Sequence, residues 1–142
     1  MTIARIVEGR THAIVSCRPT DTVAQAAQLL AEKRIGALPV LDGDWITGIF
    51  SERDLLYCVA REGEAVLTRQ VAEVMTAPAI TVEASTPVLE ALALMTRRRI
   101  RHLPVVSAGR LVDFVSIGDL VKFRLESIEG EAEAMREYIR MA

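Results

Sequence analysis

The sequence predicts an α+β fold: two β-α-β-β-α units related by a pseudo-twofold axis and packed through their sheets, followed by a C-terminal helix. Three observations predict it. A long stretch of the chain repeats itself at a constant offset of 65 residues. Within each copy, helical spacing of apolar residues alternates with short β-rich runs. The composition is 51% hydrophobic but only 4% aromatic, which suits a core of Val, Ile, Leu, Ala and Met.

The repeat is explicit. Leu38-Pro39-Val40 returns as Leu103-Pro104-Val105, and the offset holds without a gap over residues 15–55. Of those 41 positions, 11 are identical to their partners, where residue frequencies near 7% would give about 3. Upstream, residues 3–7 resemble residues 71–75 at an offset of 68, so the first copy carries three extra residues before its first strand. Each unit alone would expose an apolar face, and stacking the two buries it. The expected organisation is 1–67 for the first repeat, 68–126 for the second and 127–142 for an amphipathic C-terminal helix.

Each unit opens with a short apolar strand, at residues 13–17 and 79–82. A helix follows. Val23, Ala26, Ala27 and Leu30 have i, i+3, i+4, i+7 spacing, and Val88, Ala91, Leu92 and Met95 repeat it. Asp21 and Thr86 are the expected N-caps, with Pro87 at the first helical position. Two strands then flank a tight turn, at Asp42-Gly43-Asp44 in one copy and Ser107-Ala108-Gly109 in the other. Pro39 and Pro104 are expected at strand starts, because proline cannot donate to a ladder. A second helix begins at Ser51 and at Ser116, and residues 63–69 form a short polar linker. In the tail, Ile128, Ala132, Met135 and Ile139 have helical spacing. Their stripe packs either on its own module or on a dimer mate.

Bulk properties exclude several classes. A net charge of −2 gives no general affinity for nucleic acid or an anionic membrane. The longest run without a charge, residues 22–31, is far too short to cross a bilayer. The N-terminal stretch meets Arg5 and Glu8 before any apolar core develops, unlike a signal peptide, so a cytoplasmic location is expected. Cys17 and Cys58 are too few for a disulfide framework and sit among apolar residues, as small buried hydrophobes do. There is no Gly-rich phosphate loop, metal-ligand cluster or Cys/His pair, and His12 has no acidic neighbour in sequence, so no enzyme activity and no cofactor are expected.

One segment pattern is specific. Arg34-Ile35-Gly36-Ala37-Leu38-Pro39-Val40 precedes Gly48-Ile49-Phe50-Ser51-Glu52-Arg53-Asp54-Leu55. Arg99-Ile100-Arg101-His102-Leu103-Pro104-Val105 precedes Phe114-Val115-Ser116-Ile117-Gly118-Asp119-Leu120. With Val74-Met75-Thr76 ahead of the second copy, this order resembles a tandem pair of cystathionine-β-synthase-type (CBS) domains, over nearly the whole chain outside the tail. The resemblance implies a cleft between the repeats that takes AMP, ADP, ATP, S-adenosylmethionine or a related, NAD-like ligand as a regulatory signal.

The candidate contacts follow. Ser51 with Asp54, and Ser116 with Asp119, have capping-box spacing and serve as helix caps on that reading alone. The resemblance assigns both aspartates to the ribose, and a helix N-terminus with a serine hydroxyl can also face a phosphate. Arg101 and His102 immediately precede Leu103-Pro104-Val105, where the resemblance places phosphate contacts, and arginine offers a planar fork for phosphate oxygens. The first copy has uncharged Gly36 and Ala37 there, but carries Arg53 where the second has Gly118. In a pseudo-twofold pair Arg53 would share a phosphate with Arg101 and His102 at the second-copy site. The base is expected against Val15, Ser16, Ile80 and Thr81, with Ile49 or Phe114 nearby; plain core packing is the competing reading. Asp113, where the first copy has Gly48, either repels a phosphate or points away. The expected function is a stand-alone regulatory module, a homodimer sensing an adenosine-containing ligand and read by an unidentified effector protein. The alternative is a ligand-free dimerisation or docking module.

Overall fold

The computed structural model describes residues 1–10 and 13–142; His12 lies outside the described residues. The elements in order are α1 (Ile3–Glu8), α2 (Val23–Lys33), β1 (Ala37–Asp42), β2 (Trp45–Ser51) and α3 (Glu52–Glu62). After a 3-10 turn at Gly63–Thr68 come α4 (Val71–Val74), α5 (Val88–Arg98), β3 (His102–Ser107), β4 (Arg110–Ser116) and α6 (Ile117–Met141). The strands form one sheet in the order β1-β2-β4-β3. Each hairpin is an antiparallel pair with a register shift, between Val40 and Leu41 in one and between Val105 and Val106 in the other, and the two hairpins meet through β2 and β4 at Trp45 and Arg110. Leu111 N–H donates to the Asp44 carbonyl at 2.9 Å across that seam, and the Arg110 guanidinium lies 5.8 Å over the Trp45 ring. The repeats thus do join through their sheets, by a narrow contact.

The first strand of each unit shrinks to a single bridging residue, Cys17 against Val40 and Val82 against Val105. Proline explains why. Cys17 donates to the Pro39 carbonyl at 3.1 Å and accepts from Leu41 N–H at 2.9 Å. The next rung upstream needs an N–H from residue 39, which proline lacks. Pro104 stops the Val82 ladder in the same way, so both prolines sit inside strands rather than at their starts.

Capping also differs in detail from expectation. Thr22, not Asp21, caps α2, in a reciprocal box with Gln25. The Asp21 carboxylate instead accepts from Arg18 N–H at 2.8 Å in the preceding turn. Pro87 takes the cap position of α5, while the Thr86 hydroxyl accepts from Glu83 N–H. Arg34 and Arg99 end α2 and α5 in the left-handed region, at φ 53° and 54°, and turn the chain into β1 and β3. The tail is no separate helix: α6 runs unbroken from the Ser116 cap to Met141.

The two cores do not follow chain order. Val71 of α4 is buried with Val23, Leu30, Leu38 and Phe50 of the first repeat. Ile3 of α1 is buried with Val88, Met95, Leu103 and Leu120 of the second. Backbone bonds fix the exchange: Val71 N–H donates to the Asp21 carbonyl, and Ile3 N–H to the Thr86 carbonyl. Each lead-in helix therefore completes the other repeat, which draws the segments after α1 and α4 across the interface toward the opposite β-hairpin.

Candidate ligand-binding clefts

β2 and β4 end in serines that start helices, and both serine–aspartate pairs form capping boxes. Ser51 Oγ accepts from Asp54 N–H at 3.2 Å, and Asp54 Oδ2 accepts from Ser51 N–H at 2.9 Å. Ser116 and Asp119 repeat this at 3.1 and 2.8 Å. Capping does not remove these groups from a site. It pins each carboxylate at a helix N-terminus beside a groove between the repeats.

The first groove spans about 640 Å³, the solvent at its open mouth included. Ile49, Ser51, Arg53 and Asp54 come to it from the first repeat, and Ile80, Arg99, Arg101 and His102 from the second. Thr76 Oγ1 donates to Asp54 Oδ1 at 2.8 Å, and Ser51 Oγ lies 3.0 Å from Asp54 Oδ2. Arg53 Nη1 donates to the Arg99 carbonyl at 2.8 Å. Arg101 Nη2 pairs with Glu52 Oε1 at 3.0 Å, both side chains being about half exposed. Such an exposed pair contributes little and yields readily to a bidentate anion. His102 stacks on Phe114 with ring centroids 5.5 Å apart. Burial, then the neighbouring Arg101 charge, hold its pKa below the ordinary imidazole value against the pull of Asp119 and Glu52. At neutral pH it is an uncharged hydrogen-bonding group rather than a cation.

The second groove, about 610 Å³, is walled by Val15 and Phe114 and by Ser116, Asp119, Asp113 and Arg10. Arg10 Nη1 bonds Asp119 Oδ2 at 3.0 Å, and its Nε lies 3.5 Å from Asp113 Oδ2. Asp113 Oδ1 accepts from Phe114 N–H at 2.7 Å. Asp113 is buried, and it neither faces the first groove nor points to solvent; it holds Arg10. Asp119 titrates below the ordinary aspartate value: burial pushes it up, but the Ser116 N–H and hydroxyl together with Arg10 outweigh burial.

The structure regroups the sequence-derived residues crosswise. Arg101 belongs with Asp54 and Arg53 in the first groove, whereas pairing by copy puts it with Asp119. His102 borders both grooves. Ile80 and Val15 face the grooves. Their neighbours Thr81 and Ser16 do not. Thr81 lines a separate surface depression with Glu83 and Arg97, and Ser16 lines neither groove. Sequence reasoning missed the roles of Thr76 and Arg10. Thr76 was visible as part of Val74-Met75-Thr76, but nothing in the sequence tied it to Asp54. Arg10 falls where the two copies slip out of register, so the repeat offers it no partner.

The CBS-domain profile matches residues 7–61 and 71–126. This chain belongs to the CBS-domain family. A CBS-domain protein of Burkholderia ambifaria, described as a signal-transduction protein, superposes with a TM-score of 0.81 at 42% identity, over 89% of this chain and 95% of that one. The structure of CBSX2 in complex with AMP superposes with a TM-score of 0.74 at 29% identity, over 88% and 96%. The mitochondrial CBS-domain protein CBSX3 of Arabidopsis thaliana is 34% identical over 129 residues, 87% of this chain. The chain spans 63% of that relative's length, and only 20% of the mycobacterial inosine-5'-monophosphate dehydrogenases that it also resembles. Among the described residues, no helix is long and apolar enough to cross a membrane.

Proposed function

We propose that this tandem CBS module is a regulatory, non-catalytic sensor of an adenosine-containing ligand. The observation that carries the reading is the first groove: a carboxylate fixed at a helix N-terminus, Asp54, lies in one cavity with Arg53, Arg101 and His102, between apolar walls at Ile49 and Ile80. Asp54 accepts the ribose hydroxyls, Arg53 and Arg101 hold phosphate, and the purine lies between Ile49 and Ile80. The AMP complex of the related CBSX2 supports the ligand class. Because the groove draws on both repeats, a ligand bridging them favours one arrangement of the pair, and a partner protein reads that shift.

A second reading rests on a different observation. Leu56 and Val59 on α3, and Val121, Leu125 and Ile128 on α6, are exposed apolar residues at helical spacing. Leu56 and Val121 occupy the same place in the two repeats. We read these two apolar patches as covered by a second copy of the chain, and sedimentation of wild type and Leu56→Glu/Leu125→Glu tests it. Wild type should run as a dimer and the variant as a monomer.

Thermal unfolding against AMP, ADP, ATP, S-adenosylmethionine and NAD tests the sensor reading. A ligand at 100 times its dissociation constant should stabilise the fold by about 2.7 kcal/mol, and Asp54→Ala should abolish the shift. No shift with any of the five overturns the sensor reading and leaves the docking module.

A further inference from the structure

The two grooves descend from one repeat, and their polar groups distinguish them. In the first groove the segment after α4 supplies Thr76, whose N–H donates to the Ile49 carbonyl at 2.9 Å and whose hydroxyl donates to Asp54. Repeat partners of those acceptors are Phe114 and Asp119. In the second groove both are reached by Arg10, which follows α1: Nη2 lies 3.4 Å from the Phe114 carbonyl and Nη1 3.0 Å from Asp119. One guanidinium has replaced a backbone amide and a hydroxyl. Room for it comes from a second exchange. At Gly48 a side chain would collide with Met75 and the Thr76 carbonyl, whereas at the equivalent Asp113 a carboxylate occupies the space and clamps Arg10.

The electrostatic outcome differs in sign. Among the described residues Asp54 receives only neutral donors, and Arg53, Arg99 and Arg101 line its groove against two carboxylates, Asp54 and Glu52. The second groove sets two carboxylates against the single arginine that both of them already hold. A ribose entering there meets a carboxylate whose charge Arg10 already answers.

We infer that the chain takes one phosphate-bearing nucleotide, in the Asp54 groove, and that Arg10, clamped between Asp113 and Asp119, is the residue that keeps such a ligand out of the Asp119 groove. The inference rests on the sensor reading for the first groove, and Arg10 sets its stoichiometry and selectivity. Arg10 is a specificity determinant supplied by the lead-in segment of the first repeat. The crosswise exchange of α1 and α4 is what brings it there.

Calorimetric titration with AMP tests it on the full chain, with wild type, Asp54→Ala, Arg10→Ser/Asp113→Gly and the near-isosteric Arg10→Gln/Asp113→Asn. The second double variant serves if the glycine at a buried strand position prevents folding. Wild type should bind one AMP per chain and Asp54→Ala none. Either double variant should bind a second. Two sites in wild type, binding lost on Asp119→Ala in place of Asp54→Ala, or one site in both folded double variants would overturn the inference while the sensor reading stands. If AMP binds none of the proteins, the titration is repeated with whichever of the five ligands stabilises the fold; if none does, the sensor reading fails and a ligand-free measurement decides the inference. In carbon-detected NMR of the side-chain carboxylates, Arg10→Gln should raise the Asp119 titration midpoint, with His102 and Asp113 as the other titratable neighbours to follow. An unmoved Asp119 shows that Arg10 does not hold it.

Discussion

Gly48→Ala tests how the fold positions the site. Gly48 is buried in β2, where it pairs with Val40. A methyl group there would lie 2.7 Å from Met75 Sδ and 2.8 Å from the Thr76 carbonyl oxygen. The methionine can swing aside, but the carbonyl belongs to the backbone, so the 75–76 segment must move. That segment is held to β2 by two hydrogen bonds of 2.9 Å between Ile49 and Thr76. Each contributes about 0.5–1.5 kcal/mol net, and overpacking a filled site costs about 1–3 kcal/mol. The two costs overlap, since moving the segment relieves the clash, and a loss of about 2–3 kcal/mol follows. For a chain of this size that lowers Tm by roughly 5–10 °C. The same displacement withdraws the Thr76 hydroxyl from Asp54, so nucleotide affinity should fall too. Gly130→Ala is the control. Nothing lies within 4 Å of its added methyl, on an exposed turn of α6, and it should gain about 0.4–1 kcal/mol. Urea unfolding followed by circular dichroism reads both. A Gly48→Ala protein within about 0.5 kcal/mol of wild type would refute the close approach and the coupling drawn from it.

Other consequences are as direct. Ile3 is fully buried in the second core despite its place near the N-terminus, so Ile3→Ala should cost about 2–5 kcal/mol in the same urea assay; a surface-like effect would deny the exchange of lead-in helices. Asp119 titrates lower in the folded chain than its ordinary 3.8, so its contribution to stability is in full above that value and is lost as pH falls through the folded pKa. Arg10→Gln narrows that gap, and its stability should lie below wild type at neutral pH and converge with it in acid; parallel curves would contradict the ion pair. Burial, helped by the Asp21 charge, pushes the Cys17 thiol up to about 12. Native protein should therefore leave Cys17 unmodified by a thiol reagent at pH 8, and reaction should appear only on unfolding.

Much of this was legible in the sequence because it is local or repeated. The turns, the serine–aspartate capping boxes and the apolar stripes rest on spacings within a few residues, and the 65-residue offset shows each of them twice. What escaped rests on contacts between segments far apart in the chain. The strand ladders at Cys17 and Val82 end because of prolines more than twenty residues downstream. Arg101 of the second copy lines one groove with the first copy's Asp54, a pairing across the repeats that no within-repeat pattern records. Arg10 is the clearest case. It reaches Asp113 and Asp119 across more than a hundred residues, and it comes from the one segment where the repeat loses register.

The claim that ties fold to function is that a nucleotide sits between the repeats on Asp54. The most direct measurement is a crystal structure of the protein grown with saturating AMP. The account predicts the ribose hydroxyls on the Asp54 carboxylate, the phosphate against Arg53 and Arg101, and the purine between Ile49 and Ile80. AMP seated instead on Asp119, or no nucleotide between the repeats, would contradict it.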